Sequence, residues 1–176
     1  LRMSRGLGDV YKRQVSKDRD VESLCLNASI EDNISIAGMS EFAINNFLIL
    51  KNREKKYVNH QIEELSIKCA GRDQSVSQLS GGNKQKVVFG KWIGCGSEIL
   101  ILDCPTRGVD IGVKQAMYQL MVRLKNEGKS ILMISEELPE LIGMSDRILI
   151  MKNGEVSAEF ERSETLSDAQ IIEYMI

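Results

Sequence analysis

The sequence predicts an α/β fold, in which strands of a mostly parallel sheet alternate with helices and a β-hairpin follows near the carboxyl end. Two short apolar runs, 99–102 and 131–134, have the length and composition of buried strands. Between them, apolar residues recur at helical spacing over 113–124, which predicts an amphipathic helix. Asn153-Gly154 separates two further strand-like segments, a strong short-range signal for a hairpin.

Several helix boundaries carry local signals. Ser80 is expected to be the N-cap of one helix, and Gly128 is expected to end the amphipathic helix that precedes it. Ser135 is expected to cap a short helix after the second apolar run. Ser167 and Gln170 form a capping-box pattern that opens a final helix.

Composition narrows the classes of function. The chain has 176 residues, with 23 basic and 25 acidic side chains, so it lacks the positive charge typical of nucleic-acid binding. No apolar stretch reaches the roughly 18 residues of a membrane span, so a membrane role would require a partner. The cysteines are widely separated and form no CxxC pair, which favours reduced thiols over a zinc site: Cys25, Cys69, Cys95 and Cys104.

The segment 79–83, with the sequence Leu-Ser-Gly-Gly-Asn, is the most informative part of the chain. Its two glycines allow close approach of the backbone to a ligand, and the N–H groups that open a helix attract anions. Asp103 follows the apolar run 99–102, at the strand end where an α/β sheet forms its crevice. A helix start that attracts anions, together with a carboxylate at a strand end, is consistent with binding of a nucleoside triphosphate.

These segments carry a family resemblance. LSGGNKQKVV resembles the signature motif of ABC-transporter ATPases, and ILILDCPTRGVD resembles their Walker B strand and D-loop. Arg19 matches a family arginine, and Lys17 lies about where the Q-loop glutamine would be. Within that family, the chain resembles the second ATPase domain of the tandem subunits that energise simple-sugar importers of the ribose, galactose and xylose type.

The resemblance implies a partial P-loop NTPase domain over 15–176, with a mostly parallel sheet, a helical subdomain and a carboxyl-terminal hairpin. The helical subdomain would span about 30–78, and 79–176 would hold the signature, Walker B, D-loop and carboxyl-terminal part. Residues 1–14 resemble translated adapter sequence, with a natural basic loop as the alternative. The basic run 51–57 is interpreted as a solvated helix face.

The resemblance also implies roles for individual residues. Asp103 would hold Mg²⁺, mostly through water, against the phosphates of ATP. Signature and D-loop residues would contact nucleotide bound by another ATPase domain: Leu79, Ser80, Gly81, Gly82, Gln85 and Asp110. The alternatives are a plain capped helix at the signature and a capping role for Asp103.

Two positions depart from the family pattern. Cys104 stands where the family has the glutamate that polarises the attacking water, and a thiol is a weak substitute for that base. Natural degeneration is the preferred explanation, with a sequencing error or a redox-sensitive thiol as alternatives. Glu136 stands in the place of the histidine that contacts the γ-phosphate. His60, the only histidine, is expected to lie on the surface.

The sequence contains no GxxxxGK[ST] phosphate-binding loop. The family resemblance would place that loop before residue 15, so we expect the chain to be the carboxyl-terminal part of a larger subunit. Without the loop and its lysine, we expect the isolated chain to show no ATPase activity.

The function implied is the ATP-binding and ATP-hydrolysing component of an ABC importer for a simple sugar. Its partners would be another ABC ATPase domain in cis or trans, a transmembrane permease contacting 30–78, and indirectly a sugar-binding protein, with no nucleic acid. It would lie peripherally at the cytoplasmic face of the membrane. The alternatives are an ABC ATPase without transport, stimulated by ribosomes or DNA, and a non-catalytic regulatory or assembly module.

Overall fold

The computed structural model describes residues 12–44, 48–163 and 165–175. The chain divides into two compact units, residues 1–132 and residues 133–176. No helix in the part that the structure describes is long and apolar enough to cross a membrane.

Strands and helices alternate along the described residues. The strands are β1 (Lys12–Val15), β2 (Ala43–Ile44), β3 (Leu48–Ile49), β4 (Ile99–Asp103), β5 (Ser130–Ile134), β6 (Arg147–Lys152) and β7 (Glu155–Glu161). The α-helices are α1 (Ile30–Ser35), α2 (Met39–Phe42), α3 (Lys51–Glu64), α4 (Gly81–Ile93), α5 (Ile111–Asn126), α6 (Leu138–Met144) and α7 (Asp168–Ile172).

The main sheet has the order β1-β4-β5, and β1 pairs with β4 in parallel. Residues 12–14 of the segment that resembles adapter sequence therefore form part of β1, and the rest of that segment lies outside the described residues. Val15 lies opposite Leu102, so both strands end at the same edge of the sheet. Leu100 and Leu102 are buried, which confirms a core strand that delivers Asp103 at its end. This shared edge positions the candidate site.

The third strand of this sheet corrects one prediction. The run 131–134 forms β5 as expected, but the side chains alternate between partly buried and exposed. Leu132 and Ile134 are 52% and 48% exposed, so the prediction of a fully buried strand was wrong. An apolar run predicts a strand well, whereas its burial depends on which elements cover both faces of the sheet.

Helices α1, α3 and α4 form the core of the segment that precedes β4. Ser29 and Asp32 form a capping box at the start of α1, and Ile34 on this helix is fully buried. Helix α4 packs against α1 and α3, and its Phe89 is fully buried. Residues 30–78 are therefore helix-rich, as predicted, although they also contain the short strands β2 and β3.

The basic run 51–57 lies on α3. Most of its side chains are exposed, as expected of a solvated face. Glu54 is the exception because it is only 4% exposed, and Lys51 Nζ reaches its Oε2 at 2.7 Å. Tyr57 is also half-buried, and burial raises the pKa of its hydroxyl.

Helix α5 has the predicted amphipathic character. Its buried residues are Met117, Leu120, Met121 and Leu124. Gly128 follows the helix with φ of +88°, and its N–H donates to the carbonyl of Lys125. The N–H of Lys129 donates to the carbonyl of Leu124, which completes a Schellman motif. The predicted helix stop at Gly128 is confirmed.

The second unit is built on the antiparallel hairpin of β6 and β7. Asn153 and Gly154 both have positive φ, 51° and 85°, as a type I′ turn requires. Ile148 and Ile150 from β6 are buried with Ile171 from α7. The hairpin predicted at Asn153-Gly154 is confirmed.

Two cap predictions in this unit have different outcomes. The backbone N–H of Ser167 donates to Gln170 Oε1 at 2.9 Å, and the predicted capping box is present. Glu137, not Ser135, is the N-cap residue of α6, so that prediction was wrong. The Ser135 hydroxyl instead accepts from the Glu137 N–H at 3.0 Å and donates to Glu140, forming a local turn before the helix.

Candidate functional site

An open cleft lies where β1 and β4 end. It has a volume of about 630 Å³, and both strands deliver their following residues into it because they are parallel. Its lining residues are Ser16, Lys17, Asp18, Arg19, Asp20, Glu22, Asp103, Arg107 and Gly108. The cleft therefore brings Asp103, the D-loop turn and the residue predicted near the Q-loop position, Lys17, to one place.

The cleft is lined mainly by charged side chains of both signs. Its basic groups are Lys17, Arg19 and Arg107, and its acidic groups are Asp18, Asp20, Glu22 and Asp103. Phosphates and a divalent cation together require both signs, so this lining suits a metal-bound polyphosphate better than it suits an apolar ligand.

Arg19 joins three segments around the cleft. Its Nη1 donates to the backbone carbonyl of Arg107 at 3.1 Å and to Gln85 Oε1 at 3.5 Å. Gln85 is 3% exposed and lies on α4, the helix that the signature segment opens. Close by, Lys84 Nζ pairs with Asp20 Oδ2 at 3.1 Å. We call Arg19, Gln85 and the Arg107 carbonyl the arginine clamp.

Replacement of Arg19 by glutamine should lower the free energy of unfolding by about 1–2 kcal/mol, because the arginine clamp loses hydrogen bonds from a charged donor. Arg53→Gln is the matched control, since Arg53 is exposed on α3 and its loss should change stability by less than about 0.5 kcal/mol. Urea unfolding followed by circular dichroism measures both. Equal losses in the two variants would contradict a specific role for the clamp.

The signature segment begins α4 as predicted. Ser80 is the N-cap residue, and its Oγ accepts from the Asn83 N–H at 3.4 Å. Leu79 is 8% exposed and belongs to the core. In this segment, the N-cap residue Ser80 is therefore exposed, whereas the preceding Leu79 is buried.

The two glycines of this segment have close neighbours. A Cβ on Gly81 would lie 3.0 Å from Arg19 Nη2, and a Cβ on Gly82 would lie 2.6 Å from Cγ2 of Val113 on α5. Packing against the arginine clamp and α5 is therefore a reason for glycine here that the sequence alone does not reveal. Close approach of a ligand stays a prediction.

Lys86 lies one turn further along α4. Its Nζ donates to the backbone carbonyl of Ser66 at 2.9 Å. Desolvation lowers the pKa of this ammonium, Lys68 lowers it further, and Asp110 opposes the shift. The lysine therefore links α4 to the loop that precedes it.

Asp110 is the N-cap residue of α5. Its Oδ1 accepts from the Val113 N–H at 3.0 Å, and the residue is exposed. The interpretation of the sequence missed this capping role, although an aspartate directly before a helix is its usual signal. A contact of Asp110 with nucleotide stays a prediction.

Cys104 lies in the turn that follows β4. It is 9% exposed, has φ of +47° and accepts from the Arg107 N–H at 3.1 Å through its backbone carbonyl. Asp103 lines the cleft, whereas Cys104 is absent from its described lining. Cys104 is therefore almost entirely buried.

Glu136 belongs to the second unit. It is exposed and follows β5 in the chain. His60 is exposed on α3, with Nε2 at 3.4 Å from Glu64 Oε2, as expected of a surface residue. His60 is not among the residues that line the cleft.

Asp103 is the group that fits Mg²⁺. Among residues 12–44, 48–163 and 165–175, no group of three or more histidine, cysteine, aspartate or glutamate side chains is arranged so that it could hold a metal ion. Mg²⁺ that accompanies a nucleotide uses one or two carboxylates, with phosphates and water as its other ligands. A single partly exposed carboxylate at the end of β4 matches that requirement.

No protein-family model matches the chain. The ribose import ATP-binding protein of Clostridium tetani is 40% identical over 162 residues, which cover 92% of this chain and 32% of that protein. The homologous protein of Bacillus subtilis is 43% identical over 166 residues, which cover 94% of this chain and 32% of that protein. The chain thus spans about a third of the length of these curated relatives.

A solved structure shares the fold. A dimeric ATP-binding cassette in a post-hydrolysis state, bound to ADP and phosphate, superimposes with a TM-score of 0.72 at 18% identity. The match covers 86% of this chain and 63% of that one.

Proposed function

We propose that this chain supplies the signature and Walker B surfaces of an importer ATPase. Two findings support the proposal: the chain is homologous to ribose import ATP-binding proteins, and it has the ABC ATPase fold. The reaction would be hydrolysis of ATP to ADP and phosphate, coupled to uptake of a simple sugar. The arginine clamp is the observation that supports this best, because it joins the signature helix to the D-loop turn beside Asp103.

Each site residue then has a distinct role. Asp103 would hold Mg²⁺, which would neutralise charge on the phosphates. The exposed start of α4, Ser80 to Gly82, would donate hydrogen bonds to nucleotide held by a second ATPase domain. Leu79 and Gln85 would support that surface from the core, and Asp110 would link the two half-sites.

Two substitutions would slow turnover at this half-site. Cys104 cannot act as a carboxylate base, and its thiol is mostly buried. Glu136 would place negative charge where a neutral or positive group is expected near the γ-phosphate. We therefore propose that this half-site binds nucleotide better than it hydrolyses it.

The helical segment offers a surface for a permease. Exposed apolar side chains follow one another along α1, α2 and the β2–β3 pair, with exposures between 39% and 60%: Ile36, Met39, Ile44, Leu48 and Ile49. Apolar side chains gathered on one surface segment are typical of protein interfaces. We propose that this segment contacts the transmembrane permease at the cytoplasmic face, and that a sugar-binding protein delivers the substrate.

A chimera tests the function. Residues 15–176 of this chain replace the aligned segment of the Bacillus subtilis ribose import ATP-binding protein, and ATP hydrolysis and ribose uptake are measured with its permease. We expect uptake above that of cells without the transporter, and we expect Asp103→Asn to abolish it. Glu98→Gln, an exposed change before β4, is the control and should have no effect. Stimulation by DNA or ribosomes but not by the permease would contradict the proposal.

A further inference from the structure

The side chain of Asn83 has a fixed orientation at the start of α4. Its Oδ1 accepts from the backbone N–H of Lys68 at 2.9 Å. Because a backbone N–H can only donate, this contact determines which end of the amide is oxygen. The Nδ2 group therefore faces Ser80 and donates to its Oγ at 3.0 Å.

The hydroxyl oxygen of Ser80 consequently receives two hydrogen bonds from one residue. The backbone N–H of Asn83 donates to it at 3.4 Å, and the Asn83 Nδ2 group donates at 3.0 Å. A serine hydroxyl has two acceptor positions and one hydrogen to donate. With both acceptor positions used, Ser80 interacts with any further group only as a donor.

The hydroxyl hydrogen of Ser80 is not used by either of these two hydrogen bonds. Ser80 is exposed, and none of the hydrogen bonds among the described residues gives its hydroxyl hydrogen an acceptor. The hydroxyl therefore lies ready to donate to an anion that arrives at the start of α4, where the helix dipole also favours negative charge.

We propose that Asn83 is a positioning residue that keeps the Ser80 hydroxyl as a donor to the terminal phosphate of ATP. This inference rests on the proposed function, in which a second ATPase domain presents that nucleotide to the signature segment. Asn83 acts through Ser80 and does not itself touch the phosphate. Because the Asn83 amide donates to the Ser80 hydroxyl, the hydroxyl does not donate its own hydrogen to Asn83. The hydroxyl is therefore oriented before the nucleotide arrives.

A double-mutant cycle in the chimera tests the inference. Asn83→Asp keeps size and the acceptor for Lys68 but replaces the donor with an acceptor, toward which Ser80 would turn its hydrogen. Asn83→Leu removes both polar groups without adding charge. With Ser80 present, each variant should lower kcat/KM for ATP about ten-fold, the effect of losing one charge-assisted hydrogen bond. In a Ser80→Ala background, each Asn83 variant should change kcat/KM for ATP by less than about two-fold.

The cycle separates this inference from the proposed function. Equal losses with and without Ser80 would overturn the positioning role, because charge or structural damage does not depend on the hydroxyl. A loss for Ser80→Ala with no loss for either Asn83 variant would overturn the inference alone. An active chimera that is insensitive to Ser80→Ala would overturn both this role and the proposed use of the signature segment. Thermal unfolding confirms that the variants are folded.

A measurement on the chain itself needs no nucleotide. Hydrogen exchange of the Asn83 side-chain amide, followed by NMR, should be slower than that of the exposed Asn153 amide. Ser80→Ala should remove most of that protection while Asn83 keeps its bond to Lys68. Exchange of Asn83 as fast as that of Asn153 would overturn the inference whatever the chimera does.

Discussion

Replacement of Cys104 by glutamate should raise ATP hydrolysis at this half-site of the chimera by about 100-fold, since a positioned general base contributes roughly 10²–10⁴. Cys104 directly follows Asp103, which lines the cleft, although Cys104 itself is only 9% exposed. A glutamate side chain has a methylene in place of the sulfur and a carboxylate beyond it, which lets it extend from the turn toward the cleft. The initial rate of phosphate release at saturating ATP measures the change.

Cys104→Gln is the matched control for this prediction. Glutamine has the size and shape of glutamate, but its amide cannot accept a proton as a base. It should leave the rate within about two-fold of the parent if the gain depends on general-base chemistry. A rate for Cys104→Gln equal to that of Cys104→Glu would show that packing, not chemistry, limits turnover. A parent chimera that already matches Cys104→Glu would contradict the degenerate half-site.

Replacement of Gly82 by alanine should lower the free energy of unfolding of the chain by about 2 kcal/mol. The new Cβ would lie 2.6 Å from Cγ2 of Val113, closer than two carbon atoms can pack, so the Val113 side chain or one of the two helices would have to shift. The better helix propensity of alanine offsets only part of this cost. Chemical denaturation of the 176-residue chain measures the difference.

Two further variants distinguish this clash from a general effect of alanine. Val113→Ala removes the methyl group in question, so the double variant with Gly82→Ala should recover at least half of the loss. Gly143→Ala, in α6, meets no atom within 4 Å and should stabilise the chain by about 0.5–1 kcal/mol. Strictly additive losses for Gly82→Ala and Val113→Ala would contradict direct contact between these residues.

Much of the local structure could be predicted because its causes lie within a few residues. Ser80 and Gly128 act on the helix ends beside them, and Asn153-Gly154 sets the turn between its own two strands. Ser135 shows the limit of this reasoning. A serine near a helix start can satisfy either the helix or a preceding turn, and here it bonds the Glu137 N–H in the turn.

The candidate site was only partly predictable. The strand pattern placed Asp103 at a sheet edge, and the structure brings it together with Lys17 in one cleft. The covered position of Cys104 depends on the fold of the turn after β4, which the motif alone does not describe. The residue types therefore indicated the candidate site residues, whereas the fold decided which of them line the cleft.

By itself the sequence determined the element types, their caps and the motifs that carry the family resemblance, because these depend on neighbours along the chain. Tertiary structure alone decided the arginine clamp, in which Arg19 meets Gln85 and Arg107 from 66 and 88 residues away. It also decided that Gly82 packs on Val113 and that one face of β5 is exposed. Contacts of this kind arise from how β1 pairs with β4 and how helices pack together, and no local pattern encodes those distances.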